Sequence, residues 1–135
     1  MNFEYRKAIE SDLQGLKSLI KENFDVEISN ITNNTNQYNL VAINNDKVVG
    51  HLLFTKIFNP IKNIYYGKID YVCVDKNYRN NHIATNLLQK IENFESGISY
   101  FELTSNKSRV VANKLYLSRG YYVVDTNLFR KFINI

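Results

Sequence analysis

"DYVCVDKNYRNNHIATNLL", Asp70 to Leu88, decides how this chain is folded. Its first part, through Val74, is apolar and β-branched, which reads as a strand. Its last part sets Ile83, Leu87 and Leu88, with Ile91 beyond, on one helical face. The residues between, Lys76 to Asn81, are polar and turn-forming. A helix that opens from such a loop presents N–H groups that lack intrahelical partners, at the positive end of its dipole. A strand–loop–helix junction therefore suits a diphosphate. Arg79 would add a charge-assisted contact, Asn80 and Asn81 tolerate unusual backbone angles, and Ala84 is small enough to admit a ligand. The same pattern fits a plain crossover helix with a polar start, and the junction alone leaves both open. Neither G-x-x-x-x-G-K-[ST] nor G-x-G-x-x-G occurs, which excludes a Walker loop and a dinucleotide fingerprint.

Upstream, "FEYRKAI" alternates as a strand, and Ser11 is placed to cap a helix with Leu13, Leu16, Leu19 and Ile20 on its stripe. A short second helix is allowed for near the Asn-rich stretch from Ile28 to Gln37, which otherwise reads as a loop. "YNLVAI" and "KVVGHLLFTKIF", joined through Asn44-Asn45-Asp46, predict a hairpin. Downstream, "SYFELTS" is a strand and "SRVVANKLYLSRG" a helix with Val111 and Leu115 inward and Gly120 at its end. "YYVVDTN" and "LFRKFINI" predict a closing strand pair. The expected fold is a single α/β domain over residues 1–135. Its central sheet is mixed, mostly antiparallel and six- to seven-stranded, with about four flanking helices. The piece from Asp70 into "SYFELTS" should be a parallel crossover.

The bulk numbers are consistent with one packed domain: 135 residues, 44% hydrophobic and 22% charged. Seventeen basic against 13 acidic residues leave a net charge of +4, which favours an anionic ligand without naming it. The Lys and Arg residues are scattered rather than gathered on one face, which argues against a nucleic-acid surface. Cys73 is the one cysteine, so no internal disulfide forms, as suits a reducing cytoplasm. No apolar run approaches the roughly 20 residues of a membrane span, and no secretory signal is expected at the start. Two His and one Cys at scattered positions predict no metal site.

Two motifs carry a resemblance to a family. Val72 to Leu88, with Arg79-Asn80-Asn81-His82-Ile83-Ala84 at its centre, resembles the acetyl-CoA-binding motif of the GNAT N-acetyltransferases, [Q/R]-x-x-G-x-[G/A]. "SRVVANKLYLSRGYYVVD" resembles the family's second signature through Ala112, Leu115, Tyr116, Gly120 and Tyr121. The element order matches as well. Two positions depart: His82 stands where the family most often has Gly, and Arg109 where it has Asn. Residue 82 is expected in the first helical turn, with negative φ and its ring turned from the phosphates.

The resemblance implies acetyl-CoA as acetyl donor. The backbone of Val72, Cys73 and Val74 would pair with its pantetheine amides, and the amides of Arg79, Asn80, Asn81, His82, Ile83, Ala84 and Thr85 would take the pyrophosphate. Asn113 would face the cofactor arm, and Tyr116 would be the general acid for the departing thiolate. For a base, Glu102 is preferred over Asp70, which alternates with Val72 and Val74 and so is expected on their face. His51 reads as a rim or pairing residue of its strand, and Cys73 as a buried small residue. The implied activity is acetyl transfer to a primary amine of a small molecule or peptide in a ternary complex, by a cytoplasmic monomer or homodimer with no membrane or nucleic-acid partner. The alternative is a GNAT-like module that senses CoA and transfers nothing. Asp12, Glu22, Asp25 and Glu27 would give the acceptor mouth some acid, as suits a cationic amine.

Overall fold

The computed structural model describes residues 1–134, in two compact units: Met1–Thr104 and the residues from Ser105 onward. The first unit is built on a sheet of five strands: β1 (Glu4–Lys7), β2 (Gln37–Asn44), β3 (Lys47–Asn59), β4 (Ile64–Val74) and β5 (Ile98–Glu102). Spatial order follows chain order. The pairs are antiparallel as far as β4, and β5 joins β4 in parallel. Helix α1 (Leu13–Phe24) lies between β1 and β2, and α2 (Ile83–Phe94) makes the crossover from β4 to β5. Helix α3 (Val110–Ser118) belongs to the second unit. Among the described residues no helix is long and apolar enough to cross a membrane.

The local chemistry explains these elements. The β2–β3 hairpin turns at Asn45 and Asp46, with φ of 48° and 65°. A two-residue turn between twisted strands needs two left-handed residues, and Asn and Asp accept that geometry. Helix α1 buries Leu16, Leu19 and Ile20 against Val41, Ile43, Val48 and Cys73. Helix α2 buries all four residues of its stripe, Ile83, Leu87, Leu88 and Ile91, each contributing roughly 2 kcal/mol of apolar burial. It packs near Ala42 and Gly50, which adjoin Val41 and His51 along their strands and therefore face the opposite side of the sheet from α1.

Several expectations need correction. Among the described residues the sheet has five strands rather than six to seven, and there are three α-helices rather than about four helices. No helix occurs between Asp25 and Asn36. Asn34 instead closes a tight turn there, its Oδ1 accepting from the N–H groups of Asn36 and Gln37. Residues 121–134 form no strand; Ile135, the end of the expected last strand, lies outside the described residues. Residue 12, not Ser11, stands at the N-cap of α1. The buried Asp12 carboxylate bonds Arg6 at 2.7 and 3.1 Å and the Ile9 N–H at 2.8 Å. Burial alone would raise its pKa, but these donors hold it below the usual carboxylate range. On α3, Val111 is exposed rather than inward, and Tyr116 is the buried residue.

Candidate active site

The site is set by how β4 leaves its neighbours. The β4–β5 ladder ends at the Lys68–Glu102 pair, well short of Val74, where β4 ends. The end of β4 thus runs on past the point where the two strands part. On the other side, Leu53 of β3 faces Asp70 and His51 faces Cys73. Tyr71 and Val72 therefore oppose Leu52 alone, which is a β-bulge. Tyr71 takes φ of 53°, an outlier for an aromatic residue. Facing residues share a side of the sheet, so Asp70 and Cys73 lie on one face while Val74, opposite Gly50, lies on the other. The expectation that Asp70, Val72 and Val74 share a face is wrong, because the bulge shifts the alternation.

His51 holds the bulge. Its ring is buried, with Nδ1 2.8 Å from the Tyr71 carbonyl oxygen and Nε2 2.9 Å from Asn39 Nδ2. Asn39 Oδ1 already accepts from the Thr32 N–H at 2.8 Å, which fixes that amide's orientation. Its Nδ2 can then only donate, so Nε2 accepts and Nδ1 carries the proton. Burial pushes the His51 pKa down to about 4, against a smaller upward pull from the Tyr71 carbonyl, and the ring is neutral near pH 7. The sequence reading of a pairing residue fits, but a rim position does not. Its link to the bulge was missed. The available signal was a His inside "VVGHLLF", since a buried polar ring must find partners.

Beyond Val74 the chain turns at Asp75, whose side chain accepts from the Asn77 N–H at 2.9 Å and pairs with Lys47 at 3.3 Å. Burial works to raise the Asp75 pKa, but these two contacts hold it below the ordinary value. A short 3-10 turn, Lys76–Tyr78, leads to the exposed Arg79. Asn80 and His82 are both left-handed, with φ of 66° and 58°. Between them Asn81 Nδ2 bonds the carbonyls of Tyr78 and Arg79, at 2.9 and 3.3 Å, and ties the loop to itself. Ile83 is the first residue of α2 and is buried, while Ala84 and Thr85 are half-buried in its first turn. Residue 82 is the N-cap of α2 with positive φ, not a helical residue with negative φ as expected. It occupies the conformation that glycine adopts without cost. The imidazole is exposed and makes no cap bond, so it leaves the helix's first N–H groups clear.

A family model, the acetyltransferase (GNAT) family, matches residues 6–121. The chain belongs to the GNAT family. Among curated proteins, none matches it. Solved structures similar to it include a transcriptional regulator from Bacillus halodurans C-125, with a TM-score of 0.84 at 22% identity, covering 97% of this chain and 100% of that one. A possible acetyltransferase from Clostridium difficile 630 gives 0.82 at 23%, with both chains covered fully. An aminoglycoside acetyltransferase from an uncultured soil metagenomic sample gives 0.81 at 20%, covering 98% of this chain and 97% of that one. At these identities the likeness shows the GNAT fold.

Within the first unit, the GNAT motif residues Val72, Cys73 and Val74 lead through Asp75 and the Lys76–Tyr78 turn to Arg79–His82 and the first turn of α2. Glu102 is exposed and faces Lys68 where β4 and β5 part. Asp70 is half-buried, directly before the bulge and on the same face as Lys68. The second signature lies in the second unit. There α3 ends with Gly120 at φ 94°, the Gly120 N–H bonded to the Leu117 carbonyl and the Tyr121 N–H to that of Tyr116. This is the glycine-terminated helix end that the sequence predicts. The Tyr116 ring is buried, 6.2 Å from the Tyr121 ring. Asn113 donates to the Asn106 carbonyl at 3.1 Å, so part of its side chain serves the start of α3.

Proposed function

We propose that this chain transfers the acetyl group of acetyl-CoA to a primary amine of a small molecule or peptide. Membership of the GNAT family supports acyl transfer as the chemistry. The observation that carries the reading is the parting of β4 from β5 after Lys68–Glu102, with the N-terminus of α2 just beyond Val74. A strand without β5 along its last residues offers main-chain groups to an extended amide chain, as an added strand would use them. A helix start reached through Arg79 offers N–H groups to a diphosphate. An arm followed by a diphosphate is the order of these groups in CoA.

Acetyl-CoA supplies an activated thioester. Transfer forms a C–N bond and breaks a C–S bond, so side chains must take a proton from the amine and deliver one to the departing sulfur. Tyr116 is assigned the delivery, as a phenol whose ordinary pKa near 10 suits protonation of a thiolate. Glu102 is assigned the removal, directly or through water, since it stands exposed where the strands part. The Val74 amide would polarise the thioester carbonyl. Both reactants are held together and no acyl-enzyme forms, so positioning supplies much of the rate. A cytoplasmic enzyme acting as a monomer or homodimer completes the reading.

The left-handed His82 favours a second reading, a CoA-binding module without turnover. The test is CoA release measured spectrophotometrically over a panel of amines, with Tyr116→Phe alongside. The transferase reading expects amine-dependent release that falls about 100-fold or more in the variant. Unchanged turnover in Tyr116→Phe would remove the acid role. Tight acetyl-CoA binding without release from any amine would establish the second reading.

A further inference from the structure

On the α1 side of the sheet, against the Tyr71 bulge, lies a cavity of about 170 Å³. Ile20 from α1, Val26 and Ile28 from the following loop, Leu53 from β3 and Tyr71 itself form its apolar wall. No Asp, Glu, Lys or Arg lines it. His51 and Asn39 reach it, but their polar atoms are committed to each other, to the Tyr71 carbonyl and to the Thr32 N–H. His51 is neutral near pH 7. Asn30 and Thr32 from the same loop as Ile28 also line it, so the cavity joins an apolar wall to an uncharged polar edge.

The acids once expected to line an acceptor mouth are engaged elsewhere. Asp12 is bound by Arg6, Asp25 and Glu27 pair with Lys21, and Glu22 stands 3.9 Å from Lys76. A second ammonium or a guanidinium entering this cavity would lose its water and find no counter-charge. The volume sets a size as well. An apolar cavity of roughly 150 Å³ holds a benzene-sized molecule. Position gives the remaining constraint. Tyr71 lines the cavity and directly precedes Val72, the first of the residues assigned to the acetyl donor's arm.

We infer that this cavity seats the body of the acceptor, and that the acceptor is a primary amine carrying a small uncharged apolar group of about benzene size rather than a polyamine or an aminoglycoside. The inference rests on the transferase reading and names the substrate class for it. The amino group stays at the Tyr71 side of the cavity, beside β4, while the apolar body lies against Ile20, Ile28 and Leu53.

Two probes separate this inference from the transferase reading. Benzyl alcohol has the shape of benzylamine but accepts no acetyl group under the same chemistry, so it reports on the cavity alone. Titrated into the full chain and followed by methyl NMR, it should shift the resonances of Ile20, Ile28 and Leu53, and Ile28→Trp, which fills the space, should abolish the shifts. With acetyl-CoA present, benzylamine should release CoA with kcat/KM at least tenfold above that of spermidine. Ile28→Trp should lower that value at least tenfold without changing acetyl-CoA affinity. The wild-type benzyl alcohol titration stands whether or not the variant folds. Absence of methyl shifts, together with brisk turnover of spermidine, overturns the cavity assignment and leaves the transferase reading intact. Methyl shifts with no CoA release from any amine overturn the transferase reading, and the acceptor role with it.

Discussion

At position 82 an imidazole stands on a backbone that glycine would hold without strain, with φ of 58°. A residue with a Cβ costs about 1–2 kcal/mol there. Glycine removes that cost but gains freedom in the unfolded chain, which offsets roughly 0.5–1 kcal/mol. His82→Gly should therefore be as stable as the natural chain or up to about 1 kcal/mol more so, whereas the β-branched His82→Val should lose about 1 kcal/mol or more. Urea midpoints of the three proteins measure this, and equal midpoints for His and Val would refute the left-handed assignment. His51 gives a second test, through pH. Burial lowers its pKa from 6.5 to about 4, so between these values the unfolded chain binds the proton and the folded chain does not. Its contribution is complete above pH 6.5 and is lost as pH falls towards 4. The size is on the order of 3 kcal/mol across that window. Asp12 and Asp75, both lowered, also lose their contributions on acidification. His51→Gln should flatten the pH dependence of stability between pH 6.5 and 4, and an unchanged slope would contradict the burial of a neutral ring.

The elements that sequence pattern predicts best are those whose residues choose their own geometry. The stripe of α2, the Asn-Asp hairpin turn and the glycine end of α3 are such cases, and each is present. The bulge at Tyr71 is different, because apolar alternation through Asp70–Val74 looks the same with or without one extra residue. It becomes visible only when the register against β3 is known. The closing strand pair fails for a related reason. Apolar and β-branched residues give 121–134 the propensity for strands, but a strand exists only where another edge pairs with it. Element packing also fixes the position of α2. A Cβ on Gly50 would lie 2.6 Å from Ile83 Cγ2 and 3.2 Å from Leu87 Cδ1, so α2 must shift if one is added. Gly50→Ala should cost about 1–3 kcal/mol of stability. It should also weaken acetyl-CoA binding several-fold, because Ile83 is the first residue of the helix whose N–H groups are proposed to form the cradle. Calorimetric titration of a variant shown to be folded checks this, and unchanged affinity would separate Gly50 from the site.

At the scale of the whole molecule, the residues given roles fall into two units, each compact by itself. The proposed arm-binding end of β4, the proposed anion cradle and the proposed acceptor cavity belong to Met1–Thr104, and Tyr116 and Asn113 to the residues beyond. The family match runs through both, over residues 6–121. The family and the order of β4, loop and α2 were legible from two motifs in register. The proposed acceptor cavity was not, because it gathers residues from α1, a loop and three strands that no single stretch of sequence brings together. The central claim is that the end of β4 and the start of α2 form a CoA site, and calorimetric titration of the full chain with acetyl-CoA tests it most directly. The account predicts a single saturable site in the micromolar range, weakened about tenfold or more in Arg79→Ala as a charge-assisted phosphate contact is lost. Absence of saturable binding by the folded chain would contradict it.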